Sequence, residues 1–429
     1  MAHIGVFCPS VPGHLNPLCC LARELQTRGH RVTTFHPPEL EDAVRRNGID
    51  FQAIGESVFP PGSVRAHYAR QGTLQGLAAL RNALSHWTRR SRMFLAEAPD
   101  AVRRAGVDLL LVDQAEIAAA CVADRLGLPF ITVSCALVPN REPAIPPIFT
   151  GWSYSTSTLA ALRNRLAYRF QERLTKDWME VFNRQRQEWR LPLYRIFEDS
   201  TSPWAHLSQQ PACFDFPRRR LPDQFHYTGP WQDRKVRPPV SFPFDKLNGK
   251  PLIYASMGTL QNRIQRVFWE IAQACEGLPA QLVVSLGGGD TPEQIGTLPG
   301  NPLVVGYAPQ LELLALAALT ITHAGLNTTL ESLSHGVPIV AIPVGNDQPG
   351  VAARVKWLGA GEVMPLKRLS ADRLRPLVSE VLSQDRYRQR ARQLQEEIRN
   401  AEGVRRAIEV IERVLTGQRP VLRTATASA

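Results

Sequence analysis

The N-terminal third of the chain alternates between short apolar runs and segments whose apolar residues recur at helical spacing. The runs at 4–7 and 31–35 predict strands, and apolar residues from 18 to 25 recur at the spacing of one helix face. Asn16 is a good N-cap and Pro17 suits the first helical position, so we expect the helix to begin there. A strand, a helix and a second strand in this order predict a parallel β-α-β unit with a right-handed crossover.

The same alternation recurs along the rest of the chain. A strand, a helix and a strand are predicted at 107–112, 115–126 and 130–134, and an amphipathic helix follows at 159–190. Further strands are predicted at 252–256, 281–285, 303–306, 319–322 and 338–342, with helices at 263–275 and 327–335. These elements predict an α/β protein with two Rossmann-like, doubly wound domains. In such folds the ligands lie beyond the carboxyl ends of the strands, here in the cleft between the domains.

A change of composition marks the boundary between the predicted domains. Prolines and a glycine are concentrated between residues 229 and 251, which is typical of an extended linker. We therefore predict an N-terminal domain at 1–230, a linker at 231–250 and a C-terminal domain at 251–395. A helix at 396–416 that can pack back on the N-terminal domain, and a loose tail at 417–429, complete the predicted order.

Composition and charge narrow the class of protein. Hydrophobic residues make up 44% and charged residues 21% of the 429 residues, as in ordinary soluble globular proteins. The net charge of +11 would suit nucleic acid, an anionic membrane surface or a phosphorylated ligand, and does not choose among them. The arginines at 218–220 are interpreted as a solvated loop. The seven cysteines are scattered, as in a protein with reduced thiols. The sequence shows no signal peptide and no apolar run near the roughly 20 residues of a membrane span. We therefore predict a cytoplasmic protein that can also contact a membrane peripherally.

The segment 323–331 has the chemistry of a phosphate site. It follows a predicted buried strand and opens a helix, whose free N–H groups and positive dipole end suit a diphosphate. Gly325 permits close approach of the backbone, and the side chains of His323 and Thr328 can hydrogen-bond phosphate oxygens. Glu331 lies one turn beyond Asn327, where a carboxylate suits the paired hydroxyls of a ribose. Taken alone, these residues are more often a helix cap and a structural histidine.

Two flanking segments favour the functional interpretation. Tyr307-Ala308-Pro309-Gln310 precedes the phosphate segment and Gly345-Asn346-Asp347-Gln348 follows it, each at the end of a predicted strand. With Gly336-Val337-Pro338, these segments resemble the donor signature of the nucleotide-sugar-dependent family 1 glycosyltransferases, which include plant secondary-product, macrolide and carotenoid glycosyltransferases. The resemblance covers more than forty consecutive positions. It implies the fold known as GT-B, in agreement with the layout of the whole chain.

The resemblance also assigns roles to the residues of the signature. Tyr307 would stack on uracil, where plant enzymes have a tryptophan, and the backbone of Ala308, with Gln310 nearby, would read the base edge. The resemblance implies that the diphosphate is held by His323, Gly325, Asn327 and Thr328, and the ribose by Glu331. The sugar hydroxyls would be bound by Asp347 and Gln348, and further donor contacts would come from Gly13, Ser256, Gly258 and Thr259. Leu326 stands where plant enzymes have a tryptophan near the sugar, so glucose is favoured while the hexose stays open.

His14 is the candidate catalytic base. It lies in Pro12-Gly13-His14-Leu15-Asn16-Pro17, between the first predicted strand and helix, and an unperturbed histidine titrates at about pH 6.5. Asp113 follows a predicted strand of the same domain, and strand ends of a parallel sheet lie at one edge, so the two side chains could meet. Alone, His14 is more often a loop histidine. The resemblance, in which a Gly-His loop supplies the base and a later aspartate supports it, favours catalysis.

The predicted reaction is a single displacement at the anomeric carbon. His14 would deprotonate an acceptor hydroxyl, and the nucleoside diphosphate would leave towards the helix N-terminus, with inversion of configuration. No Asp-x-Asp pair indicates a metal, and no cofactor is predicted beyond the UDP-sugar co-substrate. A sugar-nucleotide epimerase of the same architecture is the nearer alternative. An NAD-dependent enzyme is less favoured, since no Gly-x-Gly-x-x-Gly follows the first strand, and a non-catalytic binding protein would require the His14 assignment to fail.

The sequence only outlines the acceptor site. The site is expected in the N-terminal half, where the candidate lining aromatics are Phe59, Trp87, Phe94, Phe149, Trp152 and Phe170. Such aromatics are more often core than pocket, but the segment 139–154, rich in proline and aromatics, resembles a pocket-lining loop. We therefore predict a small, apolar, hydroxylated acceptor such as a carotenoid, polyphenol, sterol or macrolide, and no nucleic acid partner.

Overall fold

The computed structural model describes residues 1–74, 76–237, 239–260 and 262–423. Its strands are β1 His3–Phe7, β2 Arg31–His36, β3 Asp50–Ala53, β4 Leu109–Asp113, β5 Phe130–Ser134, β6 Ala205–Ser208, β7 Phe225–Tyr227, β8 Leu252–Ser256, β9 Gln281–Ser285, β10 Leu303–Val305, β11 Ala317–Thr322, β12 Ile339–Ala341 and β13 Gly361–Val363. Its helices are α1 Pro12–Thr27, α2 Glu41–Arg45, α3 Ser63–Gln71, α4 Gly76–Ala105, α5 Ile117–Leu126, α6 Thr158–Glu188, α7 Gln265–Cys275, α8 Pro292–Ile295, α9 Gln310–Leu316, α10 Leu326–Ser334, α11 Gln348–Trp357, α12 Ala371–Ser383, α13 Asp385–Asn400 and α14 Gly403–Gly417. Within the described ranges, no helix combines the length and apolar character that a membrane crossing needs.

The strands form two parallel sheets. The first has the order β3-β2-β1-β4-β5-β6-β7 and the second the order β10-β9-β8-β11-β12-β13. In each sheet the strand order reverses beside the strand that comes first in the chain, since β1 lies between β2 and β4 and β8 lies between β9 and β11. A reversal of this kind opens a crevice at the carboxyl ends of the strands, where ligands bind in doubly wound folds.

Alternate residues of the strands point to opposite faces of the first sheet. In β4, Leu109 and Leu111 belong to the apolar cluster shared with α1 and α14, whereas Leu110 and Val112 belong to the cluster shared with α4 and α5. Both faces are therefore covered by helices. This explains why the strand reads as a continuous apolar run in the sequence.

The predicted start of the first helix was wrong. The helix begins at Pro12, with Val11 in extended conformation as its N-cap, and Pro17 lies inside it. Both prolines suit a first turn, and the sequence pattern alone does not decide between them. His14 consequently lies in the first turn of α1, directly after β1, rather than in a loop.

The C-terminal region and the linker pack more closely than their composition indicates. Residues 396–400 belong to α13, and α14 packs with α1 against the first sheet. The prediction of a loose tail was wrong for its described part, because Val421 is buried and its carbonyl accepts a hydrogen bond from His226 Nε2 at 2.9 Å. Residues 424–429 lie outside the described residues, as does Pro238 of the predicted linker. Trp231 of the linker is buried in the core of the first half, which is the part of the protein built on the first sheet.

A buried ion-pair cluster joins the two halves of the chain. Arg354 of α11 is fully buried and donates to Asp215 Oδ1 from Nη2 at 2.7 Å and from Nε at 2.9 Å. Arg218 lies 2.6 Å from the other oxygen of the same carboxylate, with only 2% of its side chain exposed. The interpretation of residues 218–220 as a solvated loop was therefore wrong for Arg218. Two arginines hold the pKa of Asp215 well below its usual range, although burial opposes this effect.

Candidate active site

His14 and Asp113 meet at the carboxyl edge of the first sheet. His14 Nδ1 lies 2.7 Å from Asp113 Oδ2, and the other carboxylate oxygen accepts the backbone N–H of Ala115 at 2.9 Å. Burial alone would lower the pKa of His14, but the Asp113 carboxylate, and to a lesser degree Asp347, raise it above the usual value. Asp113 is fully buried, whereas 19% of the His14 side chain is exposed. A histidine held through Nδ1 by a buried carboxylate can present Nε2 to a substrate, as an oriented general base does.

Cys135 lies close enough to this pair to form a possible metal-ligand group. The ligand atoms of His14, Asp113 and Cys135 lie within 4.8 Å of one another. The thiol, however, donates a weak hydrogen bond to the carbonyl oxygen of His14 at 3.7 Å, and burial raises its pKa well above the usual range. The thiol therefore contacts the backbone of His14 as a neutral neighbour of the His14–Asp113 pair.

Pro17 exposes a carbonyl group that connects the two halves of the chain. In an α-helix the Gly13 carbonyl would accept the N–H of residue 17, but proline has none. The Gly13 carbonyl instead accepts a hydrogen bond from Asn327 Nδ2 at 2.6 Å, and Asn327 Oδ1 accepts one from Gln209 Nε2 at 2.6 Å. Asn327, which the resemblance places at the diphosphate, therefore bridges α10 to the helix turn that carries His14.

Asp347 forms a second bridge beside the first. Its Oδ2 accepts the backbone N–H of Leu137 at 2.9 Å, and burial raises its pKa. Gln348 begins α11, and its side-chain oxygen accepts the backbone N–H groups of Val344 and Gly345 at 2.8 and 3.0 Å. The predicted sugar-binding residues thus lie in a turn that is held against the first half of the chain. The Asp347 carboxylate is near enough to His14 to raise its pKa.

His323 is packed between two glycines that follow the ends of β8 and β11. A side chain on Gly258 (φ +72°) or on Gly325 would overlap the imidazole ring, so both positions require glycine. Ala324, between the histidine and the helix, has φ +62°, a strained conformation for a residue with a side chain. Burial lowers the pKa of His323 to about 4. At neutral pH it can therefore donate a hydrogen bond to a phosphate but carries no positive charge.

The predicted nucleoside contacts form a separate group in the second half. Gln310 Nε2 donates to Glu331 Oε2 at 2.5 Å and lies 3.5 Å from Thr328 Oγ1. Glu331 is buried and also forms an ion pair with Arg237, a linker residue 94 positions away. The carboxylate predicted to hold the ribose is thus already neutralised by an arginine that the sequence analysis did not identify.

The remaining predicted donor residues lie at the end of β8 or in the turns that follow β8 and β10. Tyr307 is 45% exposed, and its ring lies beside the glycine turn at 287–289, which leaves a face for stacking. Ala308 is buried directly after it. Ser256 ends β8, its Oγ accepts the backbone N–H of Gly258 at 3.3 Å, and Thr259 follows in the same turn.

The candidate acceptor aromatics separate into two sets, apart from Trp87, which is partly exposed and packs on Trp178 with ring centres 5.4 Å apart. Phe59 and Phe94 are buried in the core of the first half, so they do not line a pocket. Phe149 and Phe170 are exposed, and with Trp152 they line an apolar surface along α6. The segment 139–154 begins shortly after Leu137, which is bonded to Asp347, and contributes Phe149 and Trp152 to that surface.

Comparisons with known proteins identify relatives of the whole chain. A family model described as "UDP-glucoronosyl and UDP-glucosyl transferase" matches residues 101–416. A zeaxanthin glucosyltransferase of Pantoea ananas is 33% identical over 426 residues, which is 98% of each chain, and another of Pseudescherichia vulneris is 32% identical over 98% of this chain and 100% of its own. The solved structure of the glycotransferase of kitacinnamycin, at 24% identity, has a TM-score of 0.74 and covers 96% of this chain and 98% of its own. The structural likeness confirms the predicted GT-B fold, and none of these comparisons supports a sugar-nucleotide epimerase.

Proposed function

Since this chain belongs to the family of UDP-glucoronosyl and UDP-glucosyl transferases, we propose that it transfers glucose from UDP-glucose to a hydroxyl group of an apolar acceptor. A hydroxylated carotenoid is the first candidate acceptor, because the similarity to two zeaxanthin glucosyltransferases extends over nearly the whole of both chains. Polyphenols, sterols and macrolides are the next classes to test.

In the proposed reaction His14 acts as the general base. Its Nε2 takes the proton of the acceptor hydroxyl while the hydroxyl oxygen attacks the anomeric carbon, and the bond from that carbon to UDP breaks. A single displacement inverts an α-linked donor to a β-linked product. Asp113 holds the ring through Nδ1 and stabilises the imidazolium that forms.

The leaving diphosphate would be stabilised by hydrogen bonds rather than by a metal. The free N–H groups at the start of α10, the Thr328 hydroxyl and the neutral His323 are donors that the described residues offer at this edge. Gln310 and Glu331 would hold the nucleoside, and Arg237 would set the charge of that site.

The Gly13–Asn327 hydrogen bond is the observation that carries the proposal. It joins the residue before the candidate base to the helix whose N-terminus would hold the diphosphate. The attacking hydroxyl and the leaving group must lie on opposite sides of one anomeric carbon. A fixed distance between α1 and α10 provides this alignment.

The test is a transfer assay with UDP-glucose and a panel of hydroxylated carotenoids, polyphenols, sterols and macrolides, read by mass spectrometry, with the anomeric configuration read by NMR. His14→Ala should lower turnover on the order of 100-fold or more while calorimetry shows unchanged UDP binding. His30→Ala is the matched control, because His30 lies beyond the opposite end of α1. Unchanged turnover in His14→Ala would refute the base assignment, and binding of NAD instead of UDP would refute the donor.

A further inference from the structure

The N-terminal half of α6 leaves a row of apolar side chains in solvent. Leu159, Leu162, Leu166 and Phe170 are 80%, 50%, 56% and 57% exposed. Spacings of three and four residues place them on one face of the helix. The adjacent face carries the buried residues and packs on the first half. This apolar row is therefore not needed for the packing of α6.

Two aromatic residues from the preceding loop extend the row into a continuous surface. We call this surface the apolar patch; its members are Phe149, Trp152, Leu159, Leu162, Leu166 and Phe170. The Arg163 guanidinium lies 4.5 Å from the centre of the Trp152 ring and closes one side of it. A contiguous exposed patch of this kind marks an interaction site more often than a scattered leucine does.

Basic residues border the apolar patch. Residues 158–176 contain five arginines or lysines and one acid, Glu172, which pairs with Arg141. Arg165, Arg169 and Lys176 are exposed on the flank of the helix that lies away from its buried face. The helix thus has one flank anchored in the protein, an apolar face and a basic flank, which is the pattern of a helix that lies in a membrane interface.

We infer that the apolar patch binds the surface of an anionic phospholipid bilayer. The leucines and aromatics would enter the boundary between headgroups and acyl chains, while Arg165, Arg169 and Lys176 would lie among the lipid phosphates. A second copy of the chain fits less well. A symmetric dimer through this face would bring the basic flanks of both copies, with Arg165, Arg169 and Lys176, towards each other.

The apolar patch is continuous with the cleft. Leu137, at the start of the loop that leads to it, donates to Asp347, and the Ile148 carbonyl accepts the backbone N–H of Gly350 at 3.0 Å. Phe149, the next residue, belongs to the apolar patch. If the proposed carotenoid acceptor is correct, a bilayer-dissolved substrate would enter beside this loop. Lipid binding itself does not depend on that acceptor.

The experiment is sedimentation of the full-length protein with vesicles of phosphatidylcholine, alone or mixed with phosphatidylglycerol. Binding should be stronger to the mixed vesicles and weaken as salt is added. Leu159→Ser/Leu162→Ser/Leu166→Ser, and separately Arg165→Gln/Arg169→Gln/Lys176→Gln, should each lower the partition coefficient roughly 10-fold or more. Circular dichroism and UDP binding show whether each variant is folded.

Control variants distinguish binding through the apolar patch from an effect of the protein's overall hydrophobicity or charge. Leu316→Ser removes an exposed leucine of the second half, and Lys250→Gln/Lys367→Gln/Arg368→Gln removes three exposed charges there. Both controls should bind vesicles as the unaltered protein does. No binding to mixed vesicles, or an equal loss in the controls, would overturn the inference. So would a dimer without lipid that the leucine variant converts to a monomer in light scattering.

Discussion

Replacing Asp113 by Asn removes both the charge and the acceptor that hold the candidate base. The substitution nearly preserves the size of a fully buried side chain, and its amide oxygen can still accept the N–H of Ala115. The NH2 group, a donor, then faces His14 Nδ1 and favours the tautomer with the proton on Nε2. The substitution also removes the negative charge that lies 2.7 Å from His14 Nδ1. The imidazolium formed during transfer then loses its partner, whereas the donor site in the second half is unaltered.

The size of the effect follows from the strength of that contact. A hydrogen bond to a charged group contributes about 1.5–3 kcal/mol. Since about 1.4 kcal/mol of barrier is a factor of ten in rate, loss of the charge alone should lower kcat roughly 10- to 150-fold, and the altered tautomer of His14 should add to this loss. Asp113 raises the pKa of His14, so its removal lowers that pKa. His14 is a base only when neutral, and the acidic limb of the pH–rate profile should therefore move to lower pH.

Initial rates of glucosyl transfer, measured across pH, test both effects at once. Cys135→Ala is a control that removes a neighbour of His14 but keeps the His14–Asp113 pair, so the acidic limb of its pH–rate profile should not move. Glu116→Gln is needed as well, because burial raises the pKa of Glu116 to about 7 and its titration could also shape the profile. An unchanged rate in Asp113→Asn, or a slower rate with an unmoved acidic limb, would show that the Asp113 charge does not act on the base. The second result would assign Asp113 a structural role only.

Two further predictions concern the contacts between the halves. Asn327→Ala removes hydrogen bonds to Gly13 and from Gln209 that contribute about 1 kcal/mol each, so kcat/KM should fall roughly 10-fold or more; a full-activity variant would show that the bridge is dispensable. Arg354→Met leaves Asp215 with one arginine in a buried site, at a cost of about 3–5 kcal/mol, and the thermal midpoint should drop by roughly 10 °C in calorimetry. An unchanged midpoint would show that Arg218 suffices.

The sheets could be predicted because their strands carry the signal themselves. The bounds of β5, β8 and β9 are those that the apolar runs predict, since a strand covered on both faces is apolar throughout. The start of α1 could not be predicted in this way, because Pro12 and Pro17 both suit a first turn and tertiary contacts select between them.

Candidate site residues that follow strands could be predicted from the sequence. Contacts between a side chain of one half and the backbone of the other half could not. His14 and Asp113 follow β1 and end β4, so the strand-end rule brings them together. Gln209 follows β6 and the same rule could have identified it. Arg237 carries no signal, since nothing in the linker indicates a partner 94 residues away. Asn327 binds a main-chain carbonyl, which has no sequence signature.

Through Pro17, occupancy of the proposed donor site and orientation of the candidate base would be thermodynamically dependent on each other. Any movement of α10 away from α1 leaves the Gly13 carbonyl without its donor, one residue before His14. A ligand that favours one position of α10 would therefore favour one orientation of His14. By linkage, a substrate that fixes His14 must strengthen the binding of that ligand by the same free energy.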